Sequence, residues 1–459
     1  MKKDISYPLN TEFHVSIQWD SLEIGLVAER DPPPFLSATS YLLNSKSNDN
    51  KRPIIFFFNG GPGASSSPLH FSMGPFTRNK TDKTKPAFPL NPDSLIDTAD
   101  LVFIDPIDTG FSRSNSDEAA DKYLDINNDA EAVALFIRTW IKEYKREDAP
   151  IFITGQSYGG FRLGKLLPYL EEVTPAGLIM VSPMLDGSLS NYDQAFVSTL
   201  PAMTATAWRY GKSALDLPLE RDVFDRAQEF AETEYLLALQ KGDKLPQDEA
   251  EHIAQTLSKL TGLDKAAILS QNLRIDTQYF LENLLAKDNK LISRLNTAKA
   301  VVKKPPQRED RPDAANDPSL ALGRSNVIAA PDIADYLKEK TGIEFEDDYR
   351  SLNLDANFGW NWSSGRAYSP TLSAIKPLRD YLTKHNKTQL LVFTGMRDLA
   401  VPAGTVEYIL DHSGLPANQV DFQILEGGHS PYEETTQFPI FTNLIRELVR
   451  ETTSDKTSQ

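Results

Sequence analysis

The chain contains no cysteine among its 459 residues. That excludes a disulfide scaffold, a thiol nucleophile and a thiolate zinc site. Long hydrophobic runs are absent as well. The apolar stretches, such as residues 54–58, last four to six residues. A membrane-spanning helix needs roughly 18 or more, so no membrane span is expected, and the short runs suit buried strands. Basic residues are in the minority: Lys and Arg sum to 48 against 64 Asp and Glu, a net charge of −16. A surface of that sign does not neutralise phosphates, so no nucleic-acid partner is expected. The N-terminus MKKDISYPLN has two lysines with no apolar stretch behind them, so it does not read as a signal peptide. If Met1 is native, the cytoplasm is expected; if it was added after removal of a leader, the periplasm or the exterior. Hydrophobic content of 40% and charged content of 24% are those of a globular chain with a sizeable core. Nothing here sets the oligomeric state.

Short alternating segments between Phe13 and Leu43 predict antiparallel strands, with turns at Asp20–Ser21 and Asp31–Pro34. Continuous apolar runs at 53–58, 101–104, 151–154 and 178–181 predict buried strands. A helical period over 128–144 and a helix-like stretch over 161–170 separate the later ones. Strand and helix in alternation predict a mostly parallel sheet covered on both faces. From about 196 to 350 the texture changes to Ala, Leu, Glu, Lys and Gln, with helical patterns at 221–240, 247–259, 264–270, 276–286 and 331–340. Lys303 to Pro318 is polar, carries four prolines and predicts an exposed loop. The alternation then resumes, with helices at 370–385, 401–410 and 437–450 and strands at 389–394 and 420–425. The expected division is a core made of residues 1–195 and 351–450, a helical insertion at 196–350, and a polar tail at 451–459.

Gly155-Gln-Ser157-Tyr-Gly159 follows a predicted strand and precedes a predicted helix. In that setting G-x-S-x-G is a sharp turn that lifts a serine above the sheet edge. The rival reading is a tight turn whose serine caps the helix. A nucleophilic serine needs a base, and the base needs an acid to orient it. In an α/β-hydrolase they follow in the order serine, acid, histidine. After Ser157 stand His252, His385, His412 and His429. Of these, His429 alone sits in a glycine turn just past a predicted strand. Asp398 follows the strand 389–394; it is the candidate acid, with a helix N-cap as its alternative role. Asp411 and Glu426 are out of place. Asn59-Gly60-Gly61-Pro62-Gly63 ends an early strand, and its backbone can approach a ligand closely. The candidate oxyanion donors are the amides of Gly61 and Tyr158. No Gly-Lys-Ser/Thr follows, so this loop is not a phosphate cradle.

Six stretches occur in this order: FFFNGGPGASS (56–66), MGPF (73–76), LVFIDPIDTGFSRS (101–114), ITGQSYGG (153–160), TGMRDLAVP (394–402) and EGGHSPY (426–432). Together they resemble the serine carboxypeptidase family of α/β-hydrolases. The stretches 260–275 and 291–296 look like the insertion of bacterial members, and the missing cysteines fit an unbridged, bacterial-type member. The resemblance implies an α/β-hydrolase fold, a mostly parallel central sheet with helices on both faces and a helical cap insertion. It implies Ser157, Asp398 and His429 as the triad, and Gly61 and Tyr158 as the oxyanion hole. It also implies Asn59 as the group that binds the substrate's terminal carboxylate, with Gly60 and Gln156 beside it. Three positions depart from the family pattern. Gln156 and Ser72 stand where the family has glutamates that share protons over that carboxylate, and Ala64 stands where a cysteine is common.

The expected activity is therefore a serine-type carboxypeptidase acting through an acyl-enzyme on Ser157. The expected substrate is a peptide or small acyl compound, with no metal and no cofactor. An esterase or acyltransferase on the same triad is the first alternative, and a non-catalytic binding protein on a hydrolase fold the second. Trp208, Tyr210, Trp360 and Trp362 are candidate pocket walls, with core packing as their alternative role.

Overall fold

The computed structural model describes residues 5–8, 14–25, 32–44, 50–79, 84, 86–187, 192–363 and 372–454. Seven strands come first: β1 (Ile5–Pro8), β2 (His14–Glu23), β3 (Phe35–Asn44), β4 (Ile54–Phe58), β5 (Asp100–Asp105), β6 (Ile151–Gln156) and β7 (Gly177–Val181). Two short ribbons follow, β8 (Lys290–Ile292) with β9 (Ala300–Val302) and β10 (Val327–Ala329) with β11 (Arg350–Asn353). Then come β12 (Gln389–Gly395) and β13 (Val420–Leu425). The main sheet runs β1-β2-β3-β5-β4-β6-β7-β12-β13. From β5 to β13 every pairing is parallel; β1 to β3 continue the sheet antiparallel.

The parallel strands are buried along their length because helices cover both faces. Side chains alternate across the sheet. Ile54, Phe56 and Phe58 of β4 pack on one side with helices α3 (Asn128–Glu143) and α4 (Tyr158–Leu166), while Ile55 and Phe57 face the other. The helices preceding these two are α1 (Ser67–Met73) and α2 (Asp117–Tyr123). The stretch between β7 and β12, which are sheet neighbours, holds α5 (Asp193–Arg209), α6 (Glu220–Phe230), α7 (Leu236–Lys241), α8 (Gln247–Thr261), α9 (Lys265–Ser270), α10 (Thr277–Asn283), α11 (Pro331–Thr341), α12 (Leu354–Phe358) and α13 (Ile375–Lys384). Helices α5 to α10 close around a core of their own, including Leu200, Met203, Tyr235, Leu257, Ile268 and Phe280. Burying each such Leu or Phe contributes roughly 1.5–3 kcal/mol. The chain ends with α14 (Ala403–Asp411) and α15 (Phe438–Ser454).

Four expectations differ from this arrangement. No turn forms at Asp20–Ser21, where β2 runs through unbroken. The Asp20 carboxylate accepts hydrogen bonds from Ser40 Oγ, Tyr144 Oη and Trp140 Nε1, so cross-strand and helix donors hold in the strand a residue that would otherwise favour a turn. The turn at Asp31–Pro34 begins on Asp31, outside the described residues. Helix α11 lies within the stretch expected to be the insertion, yet Ile333, Tyr336 and Leu337 pack into the sheet's second face. Residues 303–318 are not uniformly exposed, since Arg311 and Asp317 are buried. The tail differs as well, because α15 carries its first residues to Ser454. The proline expected to open the helix at 370 is outside the described residues, and α13 begins at Ile375.

Candidate active site

The carboxyl ends of β4, β6, β12 and β13 lie along one edge of the sheet, where open α/β sheets place their ligands. Ser157 sits between β6 and α4 with φ 60° and ψ −126°. This is a left-handed, strained conformation for a residue with a side chain. Its geometry is over-determined by the backbone: Ser157 N–H donates to Val181 O at 2.9 Å, and Ser157 O accepts from Gly160 and Met184. Of the flanking glycines, Gly155 is required sterically and Gly159 sits in a tight contact. A Cβ on Gly155 would lie 2.2 Å from Gly159 O, and one on Gly159 would meet Phe58 O at 3.0 Å. Ser157 itself is half-buried.

Asp398 lies in the turn after β12 and is fully buried. Its Oδ1 accepts the backbone N–H groups of Ala400 and Val401 at 2.8 and 3.0 Å, and its Oδ2 lies 2.7 Å from His429 Nδ1. The turn-capping and histidine-orienting roles therefore coexist, one on each carboxylate oxygen. His429 is held by a 2.6 Å hydrogen bond from its own N–H to Leu295 O. The rivals lie elsewhere. His252 is mostly exposed, His385 stacks on Tyr381, His412 bonds Tyr408 O, and Asp411 and Glu426 are exposed.

The glycine loop after β4 abuts the Ser157 turn. A Cβ on Gly60 would lie 2.4 Å from Tyr158 N, and Gly61 has φ +102°. Tyr158 opens α4, where the first N–H groups have no partner inside the helix. The candidate donors are thus adjacent elements of one corner. Beneath them lies Arg162, a residue missed at the level of sequence. It is completely buried, donates Nε to Asp129 Oδ2 and Nη1 to Asn59 O, both at 2.6 Å, and stacks its guanidinium 5.1 Å from the Tyr158 ring. No local pattern marks it, since an arginine in a helix ordinarily faces water. Trp360 and Trp362 both meet the Tyr158 ring edge-on, at 5.3 and 5.5 Å. Trp208 and Tyr210 are instead tied to Leu217 O and Thr297 O inside the insertion.

Gln156 differs most from expectation. Its Nε2 donates to His429 O at 3.0 Å and to Ser430 Oγ at 2.9 Å, and its Oε1 accepts from Asn59 Nδ2 and Tyr432 Oη, both at 2.7 Å. A side-chain amide has two N–H donors and two acceptor positions. All four are engaged within the protein, so Gln156 fastens the His429 loop to β6 rather than offering a free donor to a substrate carboxylate. Burial raises the Tyr432 hydroxyl above the ordinary tyrosine range, which keeps it a donor. Asn59 is buried in the same network, beside Gly60. Ser72 accepts Asn91 Nδ2 on its carbonyl at 2.8 Å.

Residues 40–172 match the serine carboxypeptidase family. That stretch includes the Asn59–Gly63 loop and Ser157. The chain is 32% identical over 123 residues to serine carboxypeptidase-like 21 of Arabidopsis thaliana, covering 26% of this chain and 24% of the relative. Serine carboxypeptidase-like 36 of the same plant is 34% identical over 158 residues, 33% of this chain and 31% of the relative. The pheromone-processing carboxypeptidase kex1 of Sclerotinia sclerotiorum is 32% identical over 129 residues, 27% of this chain and 18% of the relative. The matches thus span between 18% and 31% of the length of these curated relatives. In three dimensions the chain is similar to the prohormone-processing carboxypeptidase Kex1(delta)p of Saccharomyces cerevisiae. The TM-score is 0.56 at 16% identity, with 96% of this chain and 91% of that one covered. The fold is an α/β-hydrolase fold. Among the described residues no helix is long and apolar enough to cross a membrane.

Proposed function

We propose that this chain, whose residues 40–172 carry the sequence of the serine carboxypeptidase family, is a serine-type carboxypeptidase. Ser157 attacks the carbonyl of the C-terminal peptide bond. His429 takes the hydroxyl proton and returns it to the leaving amine, and Asp398 holds the imidazole in the matching tautomer. The amides of Gly61 and Tyr158 receive the developing oxyanion. The observation that carries this reading is the strained Ser157 turn, within the matched stretch, on the same sheet edge as the 2.7 Å Asp398–His429 contact. The substrate on this reading is a peptide with a free C-terminus, recognised beside Asn59 and Gly60.

One observation favours an esterase or acyltransferase as the second reading. The amide of Gln156 is engaged inside the protein, which leaves fewer donors for a terminal carboxylate. Hydrolysis of a blocked dipeptide with a free carboxylate, set against its amidated form and a simple ester, separates the two. The carboxypeptidase reading expects the free acid to be cut and the amide to be spared; equal rates on acid and amide would overturn it.

Residues 1–195 and 351–450 form the hydrolase core on this reading, and 196–350 a cap that shapes the side-chain pocket. The closed apolar cluster of α5 to α10 supports a separate cap, while the packing of α11 argues for ending it before residue 331. The bacterial-type assignment rests on the missing cysteines and on stretches 260–275 and 291–296; the relatives named above are from a plant and fungi and lend it nothing.

A further inference from the structure

The turn at 293–297 belongs to the insertion, yet it is bonded to both loops that carry the base and the acid. Leu295 O accepts the N–H of His429 at 2.6 Å, and Arg294 O accepts the N–H of Leu399, next to Asp398, at 2.9 Å. Thr297 donates its N–H to Arg397 O at 3.2 Å, on the other side of Asp398. The contact is backbone to backbone. A Cβ on Gly428 would lie 2.4 Å from Leu295 O and 2.5 Å from Asn296 Cβ. Leu399 is buried in the apolar core of the insertion.

Two side chains, Asp317 and Ser293, hold this turn in shape. Asp317 is buried, and its Oδ1 accepts Ser293 Oγ at 2.7 Å and the Ser319 N–H at 2.8 Å. Its Oδ2 accepts the Arg294 N–H at 2.6 Å. Ser293 Oγ in turn accepts the N–H of Leu295 at 3.1 Å and of Asn296 at 3.4 Å. A buried carboxylate with three donors is a rigid anchor, because releasing any of them leaves charge unsatisfied. On the far side, Tyr210 Oη donates to Thr297 O at 2.9 Å, tying the turn to the end of α5.

We propose that Asp317 is a positioning residue for the Asp398–His429 pair, and that the insertion completes the active site through the 293–297 turn. This rests on the reading of Ser157, Asp398 and His429 as a triad. The physical reason is that neither loop is part of a strand or helix at the functional residue. Each therefore depends on outside partners to hold a position that catalysis requires to within a fraction of an ångström.

The test compares wild type, Asp317→Ala and Ser293→Ala, with Leu281→Ala as a control that weakens the insertion core without touching the turn. Two quantities are read on each protein: the rate of Ser157 labelling by a fluorophosphonate, and the downfield proton resonance of the His429 Nδ1–H shared with Asp398. Asp317→Ala is expected to slow labelling between about 10- and 100-fold and to broaden or lose the resonance. Ser293→Ala is expected to act in the same direction by a smaller factor, and Leu281→Ala to leave both unchanged at temperatures where it is folded. A folded Asp317→Ala protein with wild-type labelling and resonance overturns the proposal. If that variant does not fold, wild-type behaviour of Ser293→Ala overturns it instead. Failure of the wild type to label at all defeats the triad reading, whereas the resonance still tests the positioning.

Discussion

Gln156 and His429 are joined by a 3.0 Å hydrogen bond from the glutamine amide to the histidine's backbone carbonyl. The residue beside Ser157 thereby holds the loop that carries His429. Glutamate could not do this in its ionised form, since a carboxylate only accepts. Replacing Gln156 by Glu is predicted to lower kcat about 10-fold at pH 8, the equivalent of one lost hydrogen bond. Part of the loss should return toward pH 5, because a buried carboxyl is protonated more readily and regains a donor. Profiles of kcat against pH for the two proteins check this. Parallel profiles would show that the amide does not hold the loop.

Asp398→Asn keeps an oxygen for the Ala400 and Val401 amides but turns an N–H toward His429. The imidazole is then driven to the wrong tautomer. A loss of kcat of about 10⁴-fold is expected, with the fold retained. Single-turnover acylation measured beside circular dichroism tests both halves of the statement.

Arg162 and Asp129 form an ion pair with side chains 0% and 1% exposed. Removing one partner of such a pair strands a buried charge. Arg162→Met is predicted to destabilise by about 3–5 kcal/mol, and adding Asp129→Leu to recover much of that. Urea unfolding of the two single variants and the double variant gives the coupling directly. Additive losses would mean that the pair acts through something other than its charge.

His70 is buried between the rings of Phe71 and Phe103 and shares a hydrogen bond with the Tyr41 hydroxyl through Nε2. Burial lowers its pKa from 6.5 to about 3. Between those values the unfolded chain binds a proton that the folded one refuses, so stability from this group is present above pH 6.5 and is lost as pH falls toward 3. Asp105 runs the other way. Burial pushes its carboxyl up to about 6, so its contribution is present below pH 3.8 and is lost as pH rises through 6. Replacing His70 by Gln, which can still hydrogen-bond to Tyr41, is predicted to flatten the acid limb of stability by up to about 1.4 kcal/mol per pH unit. Denaturant midpoints from pH 7 down to pH 4 give that slope, and an unchanged limb would exclude His70 as its source.

Local pattern carried far in this chain. The five apolar residues of β4 sit buried on both faces, as a continuous run predicts. Ser157 stands between a strand and a helix in the strained conformation that its two flanking glycines permit. Position after a strand was enough to pick His429 over three other histidines. Asp20 shows where such reasoning stops: a good turn residue stays in a strand because Trp140 and Tyr144, over a hundred residues away, donate to it. Arg162 was not legible because a single arginine in a helix ordinarily faces water, and only packing tells that this one does not.

Short-range pattern in the chain specified the strands β4 to β7, β12 and β13, the sharp turn at Ser157 and the two groups of the Asp398–His429 pair, through apolar period, glycine spacing and place after a strand. Tertiary structure alone decided what holds those groups still. The four partners of Gln156 include Asn59, His429 and Tyr432, and the turn anchored by Asp317 binds loops about a hundred residues onward. Hydrogen bonds of that kind depend on which loops the fold brings within 3 Å, and no local pattern records that distance.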